Sequence, residues 1–256
     1  MTALRDRLAA EQTPVMRPGR RWLPWVTIVL LLAAAGLLAH SPWLSVSEIE
    51  VLGAVRSETE ARIAEAGVGE GALLLWVDTG AVERAVIADP WVRDVRADKV
   101  WPDRLVVEVV EHRPVVWIEG VLGWMLVASD GTVVDRAPEA EPGLLRASVV
   151  LPDVEPGGRP VDPGWHEIVE MALVVEDALG GTMVLEMRGA EMWTEVLGHP
   201  VRLGHPIDLA DKARTLLAMI GQELPPGSTI DLTSSSRPAI IPVESRSQVE
   251  GSGEES

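Results

Sequence analysis

The 256-residue chain has no cysteine, phenylalanine or tyrosine, and Lys99 and Lys212 are its only lysines. Without cysteine there is no disulfide, no thiolate nucleophile and no cysteine-based metal centre. Without phenylalanine and tyrosine, the core has to be built from tryptophan, leucine, valine and isoleucine. Also missing are the G-x-S-x-G, P-loop and G-x-G-x-x-G patterns, which removes the common hydrolase, nucleoside-triphosphatase and dinucleotide-binding readings. Positive charge is scarce beyond the N-terminus. Arg5, Arg7, Arg17, Arg20 and Arg21 face only Asp6 and Glu11 in the first 22 residues, leaving 17 basic against 37 acidic residues in the rest. So acidic a body repels phosphate backbones, which excludes nucleic acid as a partner.

What is present begins with one long apolar run. Residues 23–44, LPWVTIVLLLAAAGLLAHSPWL, would span about 33 Å as a helix, enough for a hydrocarbon core of about 30 Å. Arg20 and Arg21 precede it, and Trp22, Trp25 and Trp43 lie near its ends, where indoles favour the membrane interface. The arginines keep residues 1–22 cytoplasmic as a basic tail and send the body across. A cleaved signal peptide is the competing reading, but the small-residue triplet Ala33 to Ala35 lies inside the run rather than at its end.

Beyond the run, Val46 to Val51 alternates apolar and polar as a short strand stopped by Gly53. Ser57-Glu58-Thr59-Glu60 reads as a capping box opening a helix, and Asp78 as the cap of a second helix ended by Pro90. Two alternating arms, Val95/Ala97/Lys99/Trp101 and Leu105/Val107/Val109, meet at a Pro102-Asp103 turn. Strand, helix, helix, strand, strand makes an α+β unit with its helices on one face of a small sheet.

The stretch DPWVRDVRADKVWPDRLVVEVVEHRPVVWI closely resembles the POTRA-domain signature of the FtsQ/DivIB cell-division family, in Pro90-Trp91-Val92, Val95, Ala97, Trp101-Pro102, Leu105/Val107/Val109 and Glu111 through Pro114-Val115. The resemblance implies a POTRA domain over 45–114 and, over 115–243, a second α+β domain on a mostly antiparallel sheet. In that second part Ser129-Asp130-Gly131 marks a hairpin, and Pro/Gly-rich 152–163 leads into a helix with the stripe Ile168, Met171, Ala172, Val175 and Leu179. Residues 182–188 and 193–203 read as strands, and Asp208 as the cap of a helix bearing Leu209, Ala213, Leu216, Leu217 and Ile220. A strand at 229–232, a polar turn and a last strand at 239–243 follow, and 244–256 is a polar tail expected to be disordered.

A terminal strand leaves a sheet edge able to accept a partner strand, with four to six main-chain bonds at about 0.5–1.5 kcal/mol net each. In FtsQ-like proteins the last strands receive a strand of FtsB. By that resemblance the contacts fall on Ile230, Leu232, Ser234, Ser236, Arg237, Ala239, Ile241 and Pro242, with serine and proline where some members carry an aromatic anchor. The resemblance implies a non-enzymatic divisome scaffold of the cell (plasma or inner) membrane, single-pass and enriched at the septum. It would link early and late division proteins and bind an FtsB/FtsL-like pair and other membrane divisome components, without cofactor, metal, small-molecule substrate or catalytic residue, and so help control septal peptidoglycan synthesis.

Two rivals stand beside it. His166-Glu167-Ile168-Val169-Glu170 is similar to the H-E-x-x-H zinc motif but ends in glutamate, and His199 and His205 each sit in a Gly-His-Pro triplet, so an anchored peptidase or wall hydrolase is the alternative. An outer-membrane assembly factor would string several POTRA repeats before a barrel, and the chain has neither.

Overall fold

A computed structural model describes residues 23–39, 44–222 and 224–242. The basic tail, Arg20, Arg21, Trp22, Trp43 and the 244–256 tail lie outside the described residues. Helix α1, Leu23–Ala39, is apolar on every side, with Trp25 and the leucines at 30–32 exposed. Its 17 residues span about 25 Å, and among the described residues no helix is long and apolar enough to cross a membrane. Of the expected 23–44 span, Leu44 is not α-helical and 40–43 lie outside the described residues.

The first unit contains β1 (Glu48–Leu52), α2 (Thr59–Glu65), a single 3-10 turn (Leu74–Trp76), α3 (Thr79–Val86), β2 (Val92–Val100) and β3 (Arg104–Glu111). The sheet order is β1-β3-β2, with β1 parallel and β2 antiparallel to β3. Period-two alternation puts Leu105, Val107 and Val109 on one face, where they pack on Ile63 of α2 and Val82 and Val86 of α3. Gly53 follows β1 with φ +83°, and a Cβ there would stand 2.2 Å from the carbonyl oxygen of Val109. Glycine is required at that close approach.

Asp78 caps α3 as expected, accepting from the Ala81 N–H at 3.1 Å. The capping box of α2 does not form. Glu58 occupies the cap position with no side-chain bond, and remote carboxylates serve this helix start instead. Asp89 Oδ2 accepts the Glu58 N–H (2.9 Å), and Glu111 Oε1 accepts the N–H groups of Val55, Arg56 and Ser57 at 2.8, 2.8 and 2.7 Å.

The second unit is a nine-stranded mixed sheet in the order β12-β11-β10-β9-β8-β7-β4-β5-β6. Its strands are β4 (Pro114–Gly120), β5 (Gly123–Ala128), β6 (Val133–Ala137), β7 (Leu145–Leu151), β8 (Val184–Arg188), β9 (Glu191–Val196), β10 (His199–Gly204), β11 (Thr229–Asp231) and β12 (Ala239–Ile241). Five of the eight neighbouring pairs are antiparallel; β4–β7, β7–β8 and β10–β11 are parallel. Helices α4 (Pro163–Val175) and α5 (Leu209–Ile220) pack side by side, burying Ile168, Met171, Leu209 and Leu216 in the main core with strand residues such as Ile118, Leu185 and Leu203. The stretch expected as one strand at 193–203 is a hairpin, because Leu197 (φ +52°) and Gly198 (φ +80°) form a left-handed two-residue turn between β9 and β10. Asp208 does begin α5, but with φ +55° and no side-chain cap; Glu167 Oε2 from α4 accepts the Leu209 N–H at 2.8 Å instead.

The chain passes directly from β3 into β4, and Trp91 marks the joint. Its ring packs with Trp117, Leu126 and Val134 of the larger sheet, Arg56 lies over it at 5.1 Å, and its carbonyl accepts the His112 N–H at 2.8 Å.

The open edge of the large sheet

The residues singled out near the C-terminus divide into two groups. Ile230 and Leu232 are fully buried in the main core; their side chains anchor β11 and are closed to any partner. Ser234, Ser236, Arg237, Ala239, Ile241 and Pro242 are exposed. Ser234 and Ser236 bond to each other through their hydroxyls at 3.1 Å, and Arg237 has no carboxylate within ion-pair distance among the described residues. Trp25 lies on exposed α1, remote in sequence from this edge.

Backbone parity fixes what the edge offers. Leu232 donates its N–H to the Arg202 carbonyl of β10 at 2.7 Å, so Ile230 and Leu232 face β10, while Thr229 and Asp231 face β12. Their antiparallel partners are Ile241 and Ala239. Ile240, between them, therefore turns its N–H and C=O away from the sheet. The residues two positions either side are Pro238 and Pro242, which have no N–H. One donor, Ile240 N–H, thus serves the whole β12 edge. The four to six bonds expected from the sequence shrink accordingly, because two prolines of the same parity flank a three-residue strand. Ile240 and Ile241 are 41% and 49% exposed, adding apolar surface on both faces.

An ion-pair node holds β11 in place. Arg202 on β10 reaches Glu191 of β9 through Nε (2.8 Å) and Nη2 (2.5 Å), and Asp231 through Nη1 (3.3 Å). The Glu191 carboxyl is pulled below its ordinary range by the Arg202 hydrogen bonds, and the Arg202 guanidinium is raised in return. Burial alone would raise Asp231; the hydroxyl and N–H of Thr233 and the Arg202 charge outweigh it, and the group titrates low. Sequence reading missed this node. Its members come from three strands, and their only local signal is a polar residue in each.

The opposite edge of the sheet is covered at its start. Val133 of β6 donates to the Gly158 carbonyl (2.9 Å) and accepts from the Gly157 N–H (2.8 Å), and Arg136 reaches the Val154 carbonyl (2.9 Å). In the smaller sheet, Glu83 takes the outward N–H of Ala97 on β2 (3.0 Å).

Residues 44–112 match the family profile of the POTRA domain, FtsQ-type. A cell division protein FtsQ of Mycobacterium leprae is 30% identical over 244 residues, covering 91% of this chain and 67% of the relative. The chain belongs to the FtsQ family. The FtsQ of Mycolicibacterium smegmatis is 28% identical over 87% of this chain and 65% of its own length, and that of Corynebacterium glutamicum 32% identical over 41% and 47%. The matches thus span from about half to two thirds of these FtsQ relatives.

The motifs behind the enzyme alternative are engaged elsewhere in this FtsQ chain. His166 Nε2 pairs with Glu170 at 3.0 Å on the exposed face of α4, and Glu167 serves the N-terminus of α5. His199 Nδ1 lies 3.1 Å from the Ser228 carbonyl. Among the described residues no three His, Asp or Glu side chains gather as a metal-holding group.

Proposed function

We propose that this chain is a single-pass divisome scaffold that acts by binding, with 1–22 cytoplasmic, the run 23–44 as its anchor, a POTRA domain over 45–114 and a β-domain over 115–243, both outside the cytoplasm and concentrated at the septum. The β12 edge accepts one strand from an FtsB/FtsL-like pair, and the scaffold so links early and late division proteins and helps control septal peptidoglycan synthesis. The observation that carries this reading is the lone outward Ile240 N–H on an exposed apolar strand, in a sheet whose other edge is partly covered, at Val133.

A single donor makes the docking narrow. The N–H and C=O of Ile240 form one doubly bonded pair with an antiparallel partner residue, and the Pro238 and Pro242 carbonyls add acceptors. At about 0.5–1.5 kcal/mol net per bond, the main chain supplies roughly 1–3 kcal/mol from the Ile240 pair. Most of the affinity must therefore come from covering Ile240 and Ile241 and from an acidic partner group at Arg237.

Ile240→Pro removes the one donor. Copurification of the pair with full-length protein is expected to fall about tenfold, whereas Ile240→Val, which keeps the N–H, stays near wild type. Wild-type copurification by a folded proline variant would refute strand addition here.

A further inference from the structure

Among the described tryptophans outside α1, two are exposed. Trp76, in the 3-10 turn, is 69% exposed, and Trp101, in the β2–β3 turn, is 53% exposed. Their exposed neighbours Leu75 and Val100 are also apolar. The sequence places Trp101 on an arm of the hairpin, yet the fold leaves both residues more than half exposed. Neither indole N–H has a partner among the described residues.

Hydrogen bonds place both turns at the end of the first unit where the chain arrives from α1. Val46 N–H reaches the Ala72 carbonyl (2.6 Å), Ser45 bridges Leu73, Ser47 N–H reaches the Asp103 carbonyl (2.9 Å), and Lys99 Nζ reaches the Leu75 carbonyl (3.1 Å). Residues 45–47 thus run between the two turns. Charge at this end keeps an acidic excess, which disfavours an anionic lipid surface: the single Arg104 pairs with both Glu48 and Glu50, and Asp103 accepts from a neutral donor, the Ser47 hydroxyl.

The length of chain between α1 and this end sets its height above a bilayer. Ala39 and Leu44 are five residues apart, a reach of at most about 18 Å. The 17 residues of α1 leave about 5 Å of a 30 Å hydrocarbon core still to be crossed. Leu44 therefore lies within about 13 Å of the core boundary, against a headgroup layer of about 5–8 Å. An exposed pair of indoles flanked by apolar side chains, tethered at that height, matches the interfacial zone where tryptophan partitions, its ring in the acyl boundary and its N–H toward the headgroup esters.

We propose that Trp76, Trp101, Leu75 and Val100 form a second membrane contact, seating the first unit directly on the outer surface of a neutral phospholipid bilayer. The inference rests on α1 being the anchor. It makes the unit a platform of fixed orientation: β1 rises away from the bilayer from its first residue, and the joint at Trp91 is carried at the far end of β2 and β3.

The absence of cysteine makes the test direct. Single variants Trp76→Cys, Val100→Cys, Leu31→Cys in α1 and Val121→Cys in the exposed β4–β5 turn are labelled with bimane in the full chain and reconstituted in phosphatidylcholine nanodiscs. Spin-labelled phosphatidylcholine and aqueous iodide serve as quenchers. The lipid quencher is expected to reduce emission at 31, 76 and 100 about twofold or more relative to 121. If 31 is quenched by lipid but 76 and 100 behave like 121, the second contact is wrong and the anchor stands. If 76 and 100 are shielded from both quenchers, a protein covers the tip and the proposal fails. If 31 itself escapes the lipid quencher, the anchor reading has failed, and this inference with it.

Discussion

Glu111 gives one carboxylate oxygen to three consecutive N–H groups, those of Val55, Arg56 and Ser57. Partial burial would raise its pKa, but the three donors outweigh that, and the carboxyl titrates below its usual value. A group whose folded pKa is depressed stabilises the fold above its unfolded pKa and loses that contribution as pH falls through the folded value. Glu111→Gln keeps the shape and removes the charge. It is expected to cost about 1–3 kcal/mol in urea unfolding at pH 7, and less as the pH drops below about 4. An equal cost at both pH values would mean that the charge plays no part. The residue belongs to the E-x-x-P exit that carried the family resemblance, and its job is to hold the loop before α2 against the end of β3. Ile240 is the residue on which the proposed docking turns. Its place there follows first from backbone direction, which the contact positions taken from the resemblance do not carry, and then from its exposed side chain.

Among elements, those with strong local periodicity were legible. The arms of the β2–β3 hairpin, the Asp78 cap, the stripe of α4 and the pairing of two late strands stand in the sequence as they stand in the fold. Elements decided by distant partners were not. The start of α2 is served by Asp89 and Glu111, 31 and more than 50 residues away, so the local Ser57–Glu60 pattern misled. Strand β7 goes unread although Leu145 to Val149 alternate apolar and polar, because no turn signal pairs it with a neighbour in sequence: its partners β4 and β8 are parallel and about 30–40 residues away. The β9–β10 turn was missed because Leu197 adopts positive φ, a conformation leucine rarely takes. That strain can be relieved: Leu197 is exposed, and Leu197→Asn creates the Asn-Gly pair this turn geometry prefers. A gain of about 0.5–1 kcal/mol in urea unfolding is expected, and a loss would contradict the turn assignment.

At the scale of the whole molecule, the two ends offer different surfaces. The first unit joins the larger sheet at β4, and β12 lies six strands further along, roughly 29 Å away at about 4.8 Å per strand. The loop over the start of β6 and the Glu83 bond to β2 occupy parts of two other edges of the molecule, so the strand addition proposed above is left the distal one. The candidate site was legible only as a region. The sequence could say that a last strand closes the sheet, but not that prolines 238 and 242 share the parity of Ile240 and leave one donor on its edge. Amide hydrogen exchange of the full chain, alone and with the co-expressed FtsB/FtsL-like pair, tests that point most directly. Exchange at Ile240 is expected to slow by at least about tenfold in the complex, more than at any other exposed amide of the large sheet. Unchanged exchange at Ile240 in a complex that protects another surface would show that the partner binds elsewhere.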